Sequence, residues 1–175
     1  MTRYAAFLRG VNLGKRTVKS VELKAAFEAL GFENVRTLLA SGNVLFDAKA
    51  SKGLQARIEA GLEAQFGFDV GTVVRSVDEL KAMVVADPFG GRAEGEDQKL
   101  YVMMFAETLP DGVNVPSVAG DYDVLPPDER EIYLIGYRKP DGTYSAGGLL
   151  LIEKQLPKGR LVTTRNWNTI LKAIA

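Results

Sequence analysis

The chain has 175 residues, of which 46% are hydrophobic and 25% charged, a composition that fits a folded globular protein with a sizeable core and excludes a disordered one. Lys plus Arg equals Asp plus Glu at 22 each, so no long-range charge bias favours nucleic acid or an anionic membrane. The absence of histidine and cysteine excludes disulfides, thiolate metal sites, a cysteine nucleophile and a histidine-based serine triad, leaving acid–base chemistry to carboxylates, Lys or Tyr.

Met1-Thr2-Arg3-Tyr4 leads directly into a strand pattern over 3–9 with no hydrophobic signal region. No apolar run approaches the roughly 20 residues that span a bilayer. A cytoplasmic protein with no membrane partner is the expectation.

A polar loop follows Gly10, and Ser20 then stands as an N-cap before a helix with Leu23, Ala26, Phe27 and Leu30 on one face, stopped by Gly31. Residues 35–39 and 43–47 form two short strands around Ala40-Ser41-Gly42, a hairpin signal. Leu54, Ile58, Leu62 and Phe66 recur every four residues and mark a second helix ending at Gly67, before a strand over 70–75. Ser76-Val77-Asp78-Glu79 is a capping-box pattern opening a third helix with Leu80, Met83 and Val84, which Asp87-Pro88 ends.

The order β-α-β-β-α-β predicts an α+β fold whose first part, 1–89, is a ferredoxin-like plait followed by a helix. Residues 90–97 are acidic and glycine-rich and predict a linker or loop. The second part, 98–175, reads as a smaller α+β unit related to the plait. It starts with a strand from Lys99 to Phe105 and continues with strands over 121–125 and 131–137. Pro140-Asp141-Gly142 is a turn and Leu149 to Leu156 reads as a helix. The last helix opens near Thr164, with Trp167, Ile170, Leu171 and Ile174 on one face.

Three polar segments interrupt this scaffold: Arg9-Gly10-Val11-Asn12-Leu13-Gly14-Lys15, Ser41-Gly42-Asn43 and Thr163-Thr164-Arg165-Asn166-Trp167-Asn168-Thr169. In a ferredoxin-like sheet of order 4-1-3-2, the first two meet at one sheet edge beside the start of the first helix. A helix N-terminus offers unpaired N–H groups and partial positive charge. Arg9, Lys15, Arg16 and Lys19 add full charges, Gly10 allows close backbone approach, and Asn12, Ser41 and Asn43 supply neutral hydrogen-bonding groups. The expected ligand is an anionic or phosphate-bearing small molecule; no cofactor is implied.

Each segment also has a structural reading. The glycine loop is not a P-loop, because three residues rather than four separate its glycines and Arg16 stands where Ser or Thr is required. Ser41-Gly42-Asn43 is hairpin turn chemistry, and Ser41 has no histidine to activate it as a nucleophile. Trp167 is a core anchor, while Arg165, read at a helix start, opposes the dipole and invites a ligand or carboxylate, with Asn166 and Asn168 beside it. Glu94, Glu96, Asp97, Asp128, Glu129 and Glu131 read as solvated loop charges whose spacing matches no calcium loop, and no metal site is predicted.

These motifs carry a resemblance. Ala6 to Gly14, Leu30 to Thr37, Ser41 to Phe46 and Thr163 to Thr169 resemble the bacterial domain-of-unknown-function family numbered sixteen ninety-seven. The resemblance implies an α/β protein built of ferredoxin-like units, with no established activity. It matches signature positions to Arg9, Gly10, Asn12, Ser41, Gly42, Asn43, Arg165, Asn166, Trp167 and Asn168. Nucleic-acid binding is the alternative, weakened by zero net charge and by the lack of an aromatic ribonucleoprotein motif on the first and third strands. An enzyme using a carboxylate, Lys or Tyr, and a scaffold with purely structural loops, complete the set.

Overall fold

The computed structural model describes residues 1–12, 14, 16–38, 42–144, 154, 156 and 161–175. The fold is mixed α+β, with two four-stranded antiparallel sheets and four helices among the described residues. Its residues group into two compact units, Met1–Ala82 with Leu171–Ala175, and Met83–Ile170.

In the first unit β1 (Thr2–Leu8), α1 (Ser20–Ala29), β2 (Glu33–Thr37), β3 (Asn43–Ala48), α2 (Leu54–Phe66) and β4 (Thr72–Ser76) follow in sequence, and the sheet order is β2-β3-β1-β4. Strand periodicity sends Ala6 and Leu8 to one face, where they join Leu23, Ala26 and Phe27 of α1 and Ile58 and Leu62 of α2 in a single apolar cluster. Phe46 anchors it, with ring centroids 5.3 Å from Phe27 and 4.7 Å from Phe32. Gly61 makes the α1–α2 approach possible: a Cβ there would lie 2.6 Å from Leu30 Cδ2.

Strand β2 is bulged. Glu33 pairs with Asp47 and Arg36 with Leu45, so β2 spends one extra residue between the two pairs. Asn34 takes the left-handed conformation at φ 49 to do so. In an unbroken register Val35 would oppose Leu45 and share its face. The extra residue turns Val35 into the helix-covered core and puts Arg36 on the opposite face, level with Leu45.

Helix α3 (Val77–Val85) follows β4 at once, and the capping box at its start is formed as the sequence indicates. Glu79 N donates to Ser76 Oγ at 3.1 Å, and Ser76 N donates to Glu79 Oε2 at 2.7 Å. Ser20, in contrast, is the first residue of α1, not its cap. The flanking position is Lys19, whose N–H donates to Glu22 Oε2 at 2.9 Å.

The second unit contains β5 (Gln98–Phe105), β6 (Tyr122–Val124), β7 (Glu131–Tyr137), β8 (Val162–Asn166) and the start of α4 (Trp167–Ile174), with sheet order β6-β7-β5-β8. Met103, Phe105, Ile132, Leu134, Val162 and Leu156 form its apolar cluster. A second nucleus stacks edge-to-face, with Phe89 5.1 Å from Trp167 and 5.7 Å from Tyr133.

One sequence expectation fails here for a clear reason. Residues 162–166 form a strand, and the last helix begins at Trp167. Val162, Thr163 and Thr164 are β-branched and find an open β5 edge to pair with, so tertiary pairing overrides a short capping signal. Leu171, placed on the buried helix face by periodicity, is 38% exposed. The helix expected over Leu149 to Leu156 lies almost wholly outside the described residues.

Candidate functional site

Strand β1 ends by pairing into the two neighbouring loops: Leu8 N donates to Gly42 O at 2.8 Å, and Arg9 N to Gly71 O at 2.7 Å. Phe7 stands opposite Asn43 in the β1–β3 ladder. The first two polar segments therefore meet at the end of β1. Lys15 and Ser41 lie outside the described residues.

The loop after β1 carries three left-handed residues among those described. Gly10 (φ 74), Asn12 (φ 60) and Gly14 (φ 59) have positive φ, whereas Val11 between them does not. Asn is among the few side chains that tolerate this conformation. Asn12 also closes the loop, its Oδ1 accepting from Val18 N at 2.7 Å. Arg16 lies over the Phe68 ring, its Cζ 4.7 Å from the centroid, and its Nη1 is 3.9 Å from where a Cβ on Gly10 would sit. Arg9, Asn12, Arg16 and Lys19 are exposed. Among the described residues, neither Arg16 nor Lys19 has an ion-pair partner.

Asn43 is 6% exposed and stitches the hairpin: its Nδ2 donates to Leu38 O at 3.3 Å, and its own carbonyl accepts from Leu38 N at 2.9 Å. Its side chain works within the fold.

The third segment belongs to the second unit and is held by Glu94. Asn166 Nδ2 donates to Glu94 Oε1, Asn168 Nδ2 donates to Glu94 Oε2 at 2.8 Å, and Leu100 N donates to Oε1 at 3.0 Å. Asn166 Oδ1 accepts from Asn168 N at 2.9 Å and so starts α4. Glu94 is thus a structural anchor and not a solvated charge. The same correction applies to Glu131, which is 9% exposed, whereas Asp128 stays exposed while accepting from Tyr133 Oη at 3.0 Å.

Arg165 sits in β8, not at a helix start, and Nη1 donates to Thr163 Oγ1 at 2.6 Å and to Thr164 O at 2.9 Å. Burial pulls its guanidinium down to about 10, which leaves it charged at neutral pH. Burial first, and the Glu94 carboxylate second, push the Tyr101 phenol up. Among the described residues no cluster of three or more carboxylates is placed to hold a metal ion, and no helix is long and apolar enough to cross a membrane.

The anchoring role of Glu94 has no sequence signal because its side-chain partners, Asn166 and Asn168, lie more than seventy positions away, and a single carboxylate in an acidic loop has no spacing to detect.

The model of a family described as a protein of unknown function, DUF1697, matches residues 1–133. That match includes the first two polar segments and ends before the third. Among solved structures, the conserved bacterial protein SP0830 from Streptococcus pneumoniae is similar in fold, with TM-score 0.68 and 21% identity, over 98% of this chain and 96% of that one. No curated protein matches the chain.

Proposed function

Because the chain belongs to DUF1697, a family whose description carries no activity, we propose from its own residues that it binds a phosphate-bearing small anion at the β1–α1 loop. The observation that carries this reading is positive φ at residues 10, 12 and 14, with Val11 between the first two outside that region. Successive residues of opposite hand turn their N–H groups toward one side and make a concave anion-binding nest. Arg9, Arg16 and Lys19 stand exposed around it, and α1 begins beside it. Arg9, Gly10, Asn12, Lys15, Arg16 and Lys19 form the candidate contact set.

Asn43 braces the neighbouring hairpin, and Ser41, which lies outside the described residues, stays a candidate for orienting the ligand. Arg165, Asn166 and Asn168 are read as a structural brace for the second unit. The strand order β4-β1-β3-β2 and the element order β-α-β-β-α-β favour reading the first unit as a ferredoxin-like plait, and the four-stranded second sheet favours a related plan. Nucleic-acid stacking is disfavoured, because Phe7 and Phe46 are fully buried and Tyr4 stacks on Phe46 at 5.7 Å.

Titration of the isotope-labelled protein with inorganic phosphate and pyrophosphate tests the reading. Amide shifts confined to residues 9–19 are expected, and their loss in Arg16→Gln with Lys19→Gln. The absence of any shift in this loop at millimolar anion refutes the proposal.

A further inference from the structure

A second cationic feature lies at the other end of β1. Residues at its start, together with β2, Leu45 of β3, α1, the first turns of α3 and the last residues from Ala173 to Ala175, line a cleft of about 870 Å³ within the first unit. Its charged groups include Arg3, Lys24, Arg36 and Lys81 against the Asp78 side chain and the main-chain carboxylate of Ala175.

These cations differ in what they have left to offer. Arg3 is satisfied at home, with Nη1 2.9 Å from Asp47 Oδ1 and 2.9 Å from Asn34 O. Lys24 reaches Glu28 at a loose 3.7 Å. Among the described residues Arg36 and Lys81 have no ion-pair partner, and both are exposed. Arg36 and Lys81 therefore keep their donors available to an anion entering the cleft.

The position of Arg36 is built by the backbone. The β2 bulge moves Arg36 to the face that carries Leu45, and Leu45 lines the cleft beside it. The bulge is itself held in place: Asn34 Nδ2 donates to Asp47 Oδ2 at 2.7 Å, and Arg3 closes the same carboxylate from its other oxygen. Bulges commonly re-aim one side chain beside a site. The guanidinium so placed offers a planar fork suited to two phosphoryl oxygens, and Lys81 adds a point charge from α3.

Size and lining narrow the ligand. No aromatic ring lines the cleft, so nothing there stacks a base. Apolar lining comes from Val35, Leu45, Val77 and Ile174. We propose that this cleft binds a small non-aromatic anion bearing two or more phosphoryl groups, held chiefly by Arg36 and Lys81 with Lys24 at the rim. This site is distinct from the β1–α1 loop, and the two readings fail separately.

The test uses inorganic tripolyphosphate, with ATP as the aromatic comparison, followed by amide shifts and calorimetry. Shifts at residues 34–36 and 78–81 are expected, with affinity falling at least tenfold in Arg36→Gln plus Lys81→Gln and with rising salt. Lys52→Gln, an exposed residue outside both the cleft and the β1–α1 loop, should leave this binding unchanged. Both cleft residues are exposed, so an unchanged melting temperature in the double variant confirms that folding is intact. Affinity within twofold of the parent in that variant overturns the proposal, as do shifts restricted to residues 9–19. ATP binding tenfold tighter than tripolyphosphate overturns the non-aromatic assignment.

Discussion

Asn168 Nδ2 donates to Glu94 Oε2 at 2.8 Å, bridging 74 positions of sequence. Through Glu94 the acidic loop before β5 is fastened to the start of α4, with Asn166 and Leu100 N sharing the other oxygen. Glu94→Ala removes the acceptor for three donors at once. A loss of about 2 kcal/mol is expected, since each polar group left without a partner costs about 1–3 kcal/mol in proportion to its burial. For a chain of this size that lowers the melting temperature by about 4–8 °C. Glu94→Gln, which keeps acceptor oxygen but adds a donor facing an amide, should lose less. Equal melting temperatures for Glu94→Ala and the parent would show that water replaces the carboxylate.

The contrast between α1 and α4 explains what sequence conveys and what it withholds. Leu23, Ala26 and Phe27 are buried as their helical spacing requires, and the Ser76–Glu79 box forms because both partners lie within one turn. Such signals are local. The β8 pairing of Val102 with Arg165 is not: it depends on an edge offered sixty residues earlier, and no periodicity over 162–166 announces it. For the candidate site, positive-φ-tolerant residues in 10–14 were legible as Gly and Asn. The reorientation of Arg36 was not, because a bulge is a mismatch between two strands and has no signature in either alone.

Asn12 separates backbone need from side-chain need. Asn12→Gly keeps the conformation at φ 60 and loses only the acceptor for Val18 N, for a cost of about 1 kcal/mol. Asn12→Ala loses both, and the left-handed conformation adds roughly 1–2 kcal/mol. Urea unfolding of the two variants should therefore rank alanine below glycine. The reverse order would mean that the loop relaxes out of the left-handed region.

Asp47 supplies a pH prediction. The hydrogen bond from Asn34 and the ion pair with Arg3 hold its carboxyl below the usual 3.8. A depressed carboxyl stabilises the fold above its unfolded value, and that contribution is lost as pH falls through the folded value. Asn34→Gly retains the bulge conformation at φ 49 and removes the largest cause. The Asp47 carboxyl carbon, followed by NMR from pH 6 to 2, should then titrate nearer 3.8. An unmoved midpoint would assign the depression to Arg3 alone.

Tyr137 behaves in the opposite sense. Its hydroxyl donates to Asp123 Oδ2 at 2.6 Å, and this bond, ahead of burial and the nearby charge, pushes the phenol above 10. The associated stability is complete below the unfolded value near 10 and is lost as pH rises through the folded one. Asp123→Asn should bring phenolate absorbance in at lower pH by one resolvable tyrosine. Superimposable titration curves would remove Asp123 as the cause.

Strand β2 lies at the end of its sheet, with β3 on one side only. A flat outermost strand offers a row of vacant amides and carbonyls to any passing extended segment, the first step of edge-to-edge aggregation. Here the row is broken between Glu33 and Arg36, where the local twist increases, and those two residues project opposite charges at the break. The kink that aims one arginine therefore also makes this flank a poor template for copying, and straightening it would trade solubility as well as a binding contact.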